Sequence, residues 1–197
     1  MTDKNICVFG ASSNNIDKAY FDDAFEVGRL IASAGFGLVF GAGDSGLMGA
    51  AARGCASEGG RVIGVIPEKL NKKGIYYEHC TERIETLTMH ERKATMEGLA
   101  GGFITLAGGY GTIEEFMEAL TLKQLSYFDK PLVILNTNGC FDSLIMQLES
   151  CVAGGFTSPD HRGLYAVFTE PADAVNYCVN YKGMSIRDKL LDAVRNE

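Results

Sequence analysis

Three glycines, a threonine and two carboxylates crowd into one short stretch, Ala107-Gly108-Gly109-Tyr110-Gly111-Thr112-Ile113-Glu114-Glu115, directly after the apolar run Phe103-Ile104-Thr105-Leu106. Glycines between a strand and a helix let the backbone approach a ligand closely, and the exposed N–H groups of a first helical turn attract an anion. The pattern suits a phosphate cradle with an acid beside it. The same residues also fit a purely structural reading: Thr112-x-x-Glu115 has the spacing of a capping box, with the threonine bonding forward and the glutamate bonding back. Ile113, Phe116, Met117 and Leu120 make the core stripe of the helix that follows. Glu115 therefore points away from that stripe, and Leu122 and Leu125, which come round on its side, predict a subunit contact.

A second group of candidates lies on a helix opening near Met89. Met89, Met96 and Leu99 share one face, and Arg92 falls on the same stripe. A guanidinium on an apolar face is costly unless it meets an anion, either a carboxylate such as Glu85 or Glu97 or a ligand. Lys93 doubles the positive charge on that shoulder and favours a phosphate or another acidic ligand.

Two further glycine loops stand at strand ends, Gly10-Ala11-Ser12-Ser13 and Gly41-Ala42-Gly43-Asp44-Ser45-Gly46. The second matches G-x-G-x-x-G, the dinucleotide fingerprint, with Glu68 at the distance of a ribose ligand. It follows the second strand rather than the first, and the chain has little room for a substrate domain, so mononucleotide binding is preferred. If the first strand and the strand before Gly108 are neighbours, their two loops face each other across one crevice.

The elements that must position these groups alternate along the chain. Near-continuous apolar runs at 6–9, 37–40, 62–66, 103–106, 132–135 and 165–168 read as parallel strands buried on both faces. Helical stretches fall at 17–34, 46–58, 89–101, 112–127, 140–153 and 171–182. This predicts an α/β fold, a Rossmann-like doubly wound parallel sheet with helices on both faces, in a single domain over 1–197. The region 67–88 is irregular, with a short extra strand expected at 83–87 and a role in forming the cleft.

Composition narrows the function. A net charge of −7 and a pI near 5.0 argue against nucleic acid or an anionic membrane as a partner. No apolar run approaches the roughly 20 residues of a membrane span. Met1-Thr2-Asp3-Lys4-Asn5 runs straight into a strand without a signal-peptide pattern, so a cytoplasmic protein is expected. Six scattered cysteines and three scattered histidines show no metal-ligand spacing and read as reduced thiols and ordinary side chains.

These motifs carry a resemblance. The third glycine loop with its glutamates resembles the P-G-G-x-G-T-x-x-E motif of the LONELY GUY (LOG) family, the cytokinin-activating phosphoribohydrolases, and Met89-His90-Glu91-Arg92-Lys93 resembles that family's other signature. Ser45-Gly46-Leu47-Met48-Gly49, Ile63-Gly64-Val65-Ile66-Pro67 and Thr121-Leu122-Lys123-Gln124-Leu125 are similar too, in order and spacing over most of the chain.

The resemblance implies a Rossmann-like homodimer that hydrolyses the N-glycosidic bond of nucleoside 5′-monophosphates to free base and ribose 5-phosphate, with no metal or redox cofactor. By position it implies Arg92 and Glu115 as the catalytic pair. It implies Arg92, Lys93, Gly109, Tyr110, Gly111, Thr112, Ile113, Glu114, Glu115 and Thr121 as substrate-binding. The loop reading adds Gly10, Ser12, Gly43 and Gly108. Lys93 and the cradle amides are expected to hold the phosphate, and Glu115 to stabilise an oxocarbenium-like transition state.

Two departures stand out. Ala107 replaces the motif's proline, and Gly74 stands where plant members carry a substrate-contacting glutamate. The base preference is thereby left open between plain AMP and a prenylated adenine nucleotide. Nothing among the residues supports lysine decarboxylase, an older label for the family. The competing readings are a non-catalytic carrier of the molybdenum-cofactor type and an NAD-dependent oxidoreductase.

Overall fold

The apolar runs become the strands of one parallel sheet: β1 (Asn5–Phe9), β2 (Gly37–Phe40), β3 (Val62–Pro67), β4 (Glu82–Thr86), β5 (Gly102–Thr105), β6 (Leu132–Leu135) and β7 (Ala166–Phe168). The structure is a computed structural model and describes residues 4–183. The expectation for Met1, Thr2 and Asp3 falls outside the described residues.

All strand pairs are parallel, in the order β4-β3-β2-β1-β5-β6-β7. β1 and β5 are therefore neighbours, with Val8 opposite Ile104 and Phe9 opposite Thr105. Strand order reverses between them, and that is where an open parallel sheet leaves a crevice at its carboxyl edge. The extra strand expected at 83–87 exists as β4. As an edge strand carrying Glu82, Arg83 and Glu85 it is mostly exposed, and its charges discourage further pairing.

Among the described residues six α-helices cover the two faces: α1 (Lys18–Ser33), α2 (Gly46–Ser57), α3 (Met89–Leu99), α4 (Tyr110–Gln124), α5 (Asp142–Ala153) and α6 (Pro171–Val179). One core joins alternate strand residues such as Val8, Phe40 and Ile104 to α1, α2 and α6. The other joins Cys7, Phe9, Val39 and Phe103 to Met96 of α3 and Phe116 of α4, with Leu148 of α5 packed at its edge. Burial on both faces explains why the strand sequences lack alternation.

Two local readings change. The helix expected from 112 begins at Tyr110, with Gly109 as an N-cap that has no capping side chain. Thr112 and Glu115 thus lie inside the helix and form no capping box. The box sits one motif earlier, where Thr88 Oγ1 accepts from the Glu91 amide at 3.1 Å and Glu91 Oε2 accepts from the Leu87 amide at 2.8 Å. It fixes the start of α3 at Met89, three residues before Arg92.

Candidate active site

The loop after β1 and the loop after β5 meet as the sheet topology requires: the Ala11 amide donates to the Ala107 carbonyl at 3.0 Å. A third wall comes from the irregular region after β3. There the Asp44 amide donates to the Ile75 carbonyl at 3.0 Å, the Tyr77 amide donates to the Ala42 carbonyl at 2.8 Å, and Gly43 bridges Tyr76. This strap encloses a cavity of about 410 Å³ whose lining includes Ser12, Gly43, Met48, Leu70, Ile75 and Arg92.

Arg92 reaches the cavity floor from the first turn of α3. It is only 6% exposed, its Nε donates to the Val65 carbonyl at 3.2 Å, and its Nη1 donates to Glu115 Oε1 at 3.2 Å. The guanidinium lies directly over Gly41: a Cβ there would stand 1.7 Å from Nη2, so any side chain at 41 would expel the arginine. Glu115 arrives from the second turn of α4, its side chain 11% exposed. Burial pushes its pKa above the ordinary carboxylate value, and the charge and hydrogen bond of Arg92 act against that rise. A carboxylate so placed retains a tendency to take a proton while standing where positive charge could develop.

The N-terminus of α4 is open. No protein group described accepts from the Tyr110, Gly111 or Thr112 amide, nothing would meet a Cβ at Gly109 or Gly111, and Tyr110 is 95% exposed. Gly108 has a different task. Thr112 folds back beneath it, so that a Cβ at 108 would fall 2.1 Å from Thr112 Oγ1. An open first turn with its dipole pointing into the crevice suits a phosphate.

The first turn of α2 is different. The Gly46 amide donates to Asn14 Oδ1 and the Leu47 amide to the Ala11 carbonyl, both at 2.8 Å. With those donors consumed, the G-x-G-x-x-G match has lost the helix end that would hold a pyrophosphate.

Ser12, Gly43 and Arg92 thus line the cavity, Glu115 joins it through Arg92, and Gly10 and the residues from Gly108 to Thr112 belong to the two loops that meet at Ala11 and Ala107 and to the start of α4. Ile113 packs into the core beside Phe116. Lys93 faces outward from the pair: its Nζ is bound to Glu114 and lies 2.6 Å from Glu118 Oε2. Burial pushes its pKa down, but the hydrogen bonds and charges of these two glutamates prevail and hold it above the ordinary lysine value. A phosphate reaching for Lys93 would have to displace a carboxylate. Thr121 stands apart as well, donating to the Met117 carbonyl at 2.8 Å and opening on a separate groove between α4 and α5.

Sequence reasoning missed the Leu70 and Ile75 wall, which has no motif. It also missed the α3 box, whose signal Thr88-x-x-Glu91 is plainly present.

A family model described as possible lysine decarboxylase matches residues 48–178. An Arabidopsis thaliana protein named cytokinin riboside 5′-monophosphate phosphoribohydrolase is 42% identical over 159 residues, 81% of this chain and 75% of the relative. A second Arabidopsis thaliana protein of that name is 36% identical over 179 residues, 91% of this chain and 78% of the relative. Among solved structures, a Moco carrier protein from Chlamydomonas reinhardtii superposes with a TM-score of 0.68 at 25% identity, covering 88% of this chain and 94% of its own.

Proposed function

The chain belongs to the LOG family, and on that premise we propose that it is a phosphoribohydrolase, cleaving the N-glycosidic bond of adenine nucleoside 5′-monophosphates, plain or N6-modified, to free base and ribose 5-phosphate. The observation that carries the reading is the buried Arg92–Glu115 pair, whose arginine lines the cavity, together with the uncapped start of α4 that carries Glu115.

In this reading the amides of Tyr110, Gly111 and Thr112 hold the 5′-phosphate, and the base enters the cavity under the strap. Anchoring the phosphate fixes the sugar through binding energy remote from the reacting bond. As the C1′–N9 bond breaks, positive charge grows on the sugar, and Glu115 stabilises charge that exists only in the transition state. Its raised pKa also suits it to accept a proton from the attacking water. Arg92 is always charged, so its task is to hold Glu115 and meet the substrate rather than to donate a proton. Gly74 sits in the strap at φ +85 with open space around it, which leaves room for a bulky N6 substituent and supplies no carboxylate to recognise one. All six cysteines are free thiols, which supports a reducing, cytoplasmic setting. The assembly in this reading is a homodimer.

The likeness to a Moco carrier supports a second reading, in which the crevice binds a nucleotide-like group without turnover. Incubation with AMP and with an isopentenyladenine nucleotide separates the two: the hydrolase releases free base, the carrier does not. The cradle adds a sharper expectation. Adenosine should lose kcat as well as affinity relative to AMP, by about 10²-fold or more in kcat/KM, because remote phosphate contacts orient the reacting sugar. Equal kcat/KM for the two would remove the α4 amides as the determinant.

A further inference from the structure

Thr105 closes β5, immediately before the glycine loop. Its chain neighbours Ile104 and Leu106 belong to the core under α1, α2 and α6. Alternation along the strand turns Thr105 to the opposite face. There its cross-strand partners Phe9 and Ile134 pack with Met96 of α3 and Phe116 of α4, the two helices that carry Arg92 and Glu115.

The residue is 1% exposed, and its hydroxyl has no hydrogen-bonding partner among the described residues. A buried hydroxyl without a partner is a standing cost, and valine would fill the same β-branched shape on the same strand without it. The hydroxyl therefore calls for a use that the resting protein does not display.

The charge of the catalytic pair is felt at this level of the sheet. Cys7 lies on the adjacent strand and the same face, opposite Phe103. Burial pushes its thiol up, the Glu115 carboxylate adds to the rise, and Arg92 opposes it. The next position after Cys7 on the same face of β1, two residues on, and the last position of β5 are the registered pair Phe9 and Thr105, at the edge where α4 begins.

We infer that Thr105 is a positioning residue for the hydrolysis: its hydroxyl donates to the Glu115 carboxylate during turnover, directly or through one bound water, and holds it when substrate draws the Arg92 guanidinium away. The inference rests on the phosphoribohydrolase reading above. In the resting protein Glu115 takes its hydrogen bond from Arg92 alone among the described residues, at a rather long 3.2 Å. A guanidinium that must also meet a phosphate or a base cannot keep that bond undisturbed, and a hydroxyl on the strand floor supplies the second donor. It also lowers the cost of leaving Glu115 ionised as the sugar becomes cationic.

The test compares Thr105→Val, which removes the hydroxyl at constant shape, with Thr105→Ser, which keeps it. In base release from AMP, Thr105→Val should lower kcat by about tenfold with KM within about twofold, the size expected for one hydrogen bond to a charged group. The acidic limb of its pH profile should move to higher pH, because a carboxylate that loses a donor holds its proton longer. Thr105→Ser should recover most of kcat, and the melting temperature of Thr105→Val should stay level or rise. A second readout needs no turnover: carbon NMR of the Glu115 carboxyl with ribose 5-phosphate present should show a higher pKa in Thr105→Val than in the wild type. If the wild type releases no base, the hydrolase reading fails and this titration alone decides the role of Thr105. An unchanged kcat and acidic limb, or identical Glu115 titrations, would overturn the inference and leave the hydroxyl a packing feature.

Discussion

Glu115 stands under two opposed influences, and their balance decides what its removal does. Burial disfavours its charge, Arg92 favours it, and burial prevails. An acid whose folded pKa is raised costs stability once it ionises, so a neutral replacement should not harm the fold at pH 7. Glu115→Gln keeps an oxygen to accept from Arg92 Nη1 and loses only the charge. Turnover should fall by about 10²-fold or more, the usual size of removing one transition-state electrostatic contact. Its melting temperature should hold or rise slightly. Base release at the wild-type rate would reduce the residue to a partner for a buried arginine. Both members of the pair were legible as residues: Arg92 because a charge on an apolar stripe needs an anion, Glu115 because it points off the core stripe of its helix. That they would meet each other, rather than Glu85, Glu97 or a cap, came from the family resemblance alone, since spacing along one helix says nothing about the distance to another. Thr105 gave no sign either, because a threonine in a strand is ordinary until its partners are counted.

The joint between α3 and α4 holds that pair in register, and its outer side is an ionic cluster. Lys93 is bound to Glu114 and Glu118, and Glu97 lies one turn further along α3. Burial first, and then the charge of Glu118, pushes the Glu97 carboxyl up to about 7 from an ordinary value of 4.5. Folding therefore favours the protonated form, so this contribution to stability is full below about pH 4.5 and lost as pH rises through 7. Glu97→Gln should raise the melting temperature by about 2–4 °C at pH 8, a figure reduced because the side chain is only partly buried, and should change little at pH 4.5. An equal gain at both pH values, or a loss at pH 8, would show that the ionised Glu97 carboxylate is not what burdens this joint. Element boundaries here were only partly legible. Thr-x-x-Glu occurs at both helix starts, and the second copy also fits a box by spacing, although glycines before it let the helix begin two residues earlier. The choice matters chemically. A box at Thr112 would have spent donors that the open α4 terminus keeps available.

At the scale of the whole molecule, the parallel alternation followed from the order of apolar runs, while the meeting of β1 with β5 was only the condition for one shared crevice, and the strand order meets it. The irregular stretch after β3 was expected to help form the cleft, but its wall residues were not, because they are placed by backbone bonds to the β2 loop that no local pattern announces. Subunit contact was expected at Leu122 and Leu125. Both are half-buried, and the more open apolar surface is next to them. α5 buries none of its residues fully despite Leu144, Ile145, Leu148 and Val152, and Met146 and Phe156 are 64% and 82% exposed. Between α5 and α4 runs a groove of about 230 Å³ that takes in Val152, Phe156 and Thr121. A two-fold contact covers such a face with its own copy, and it offers Thr121, remote from the pair in its own chain, a route toward the partner's crevice. Val152→Asp combined with Phe156→Asp leaves both sheet cores untouched while placing charge in the groove. In light scattering the wild type should be dimeric and the double variant monomeric at an unchanged far-UV spectrum. Base release should fall with the dimer if Thr121 acts across the contact, and persist in the monomer if it does not. A double variant that stays dimeric moves the interface off this face, and a monomeric wild type removes the homodimer from the reading altogether.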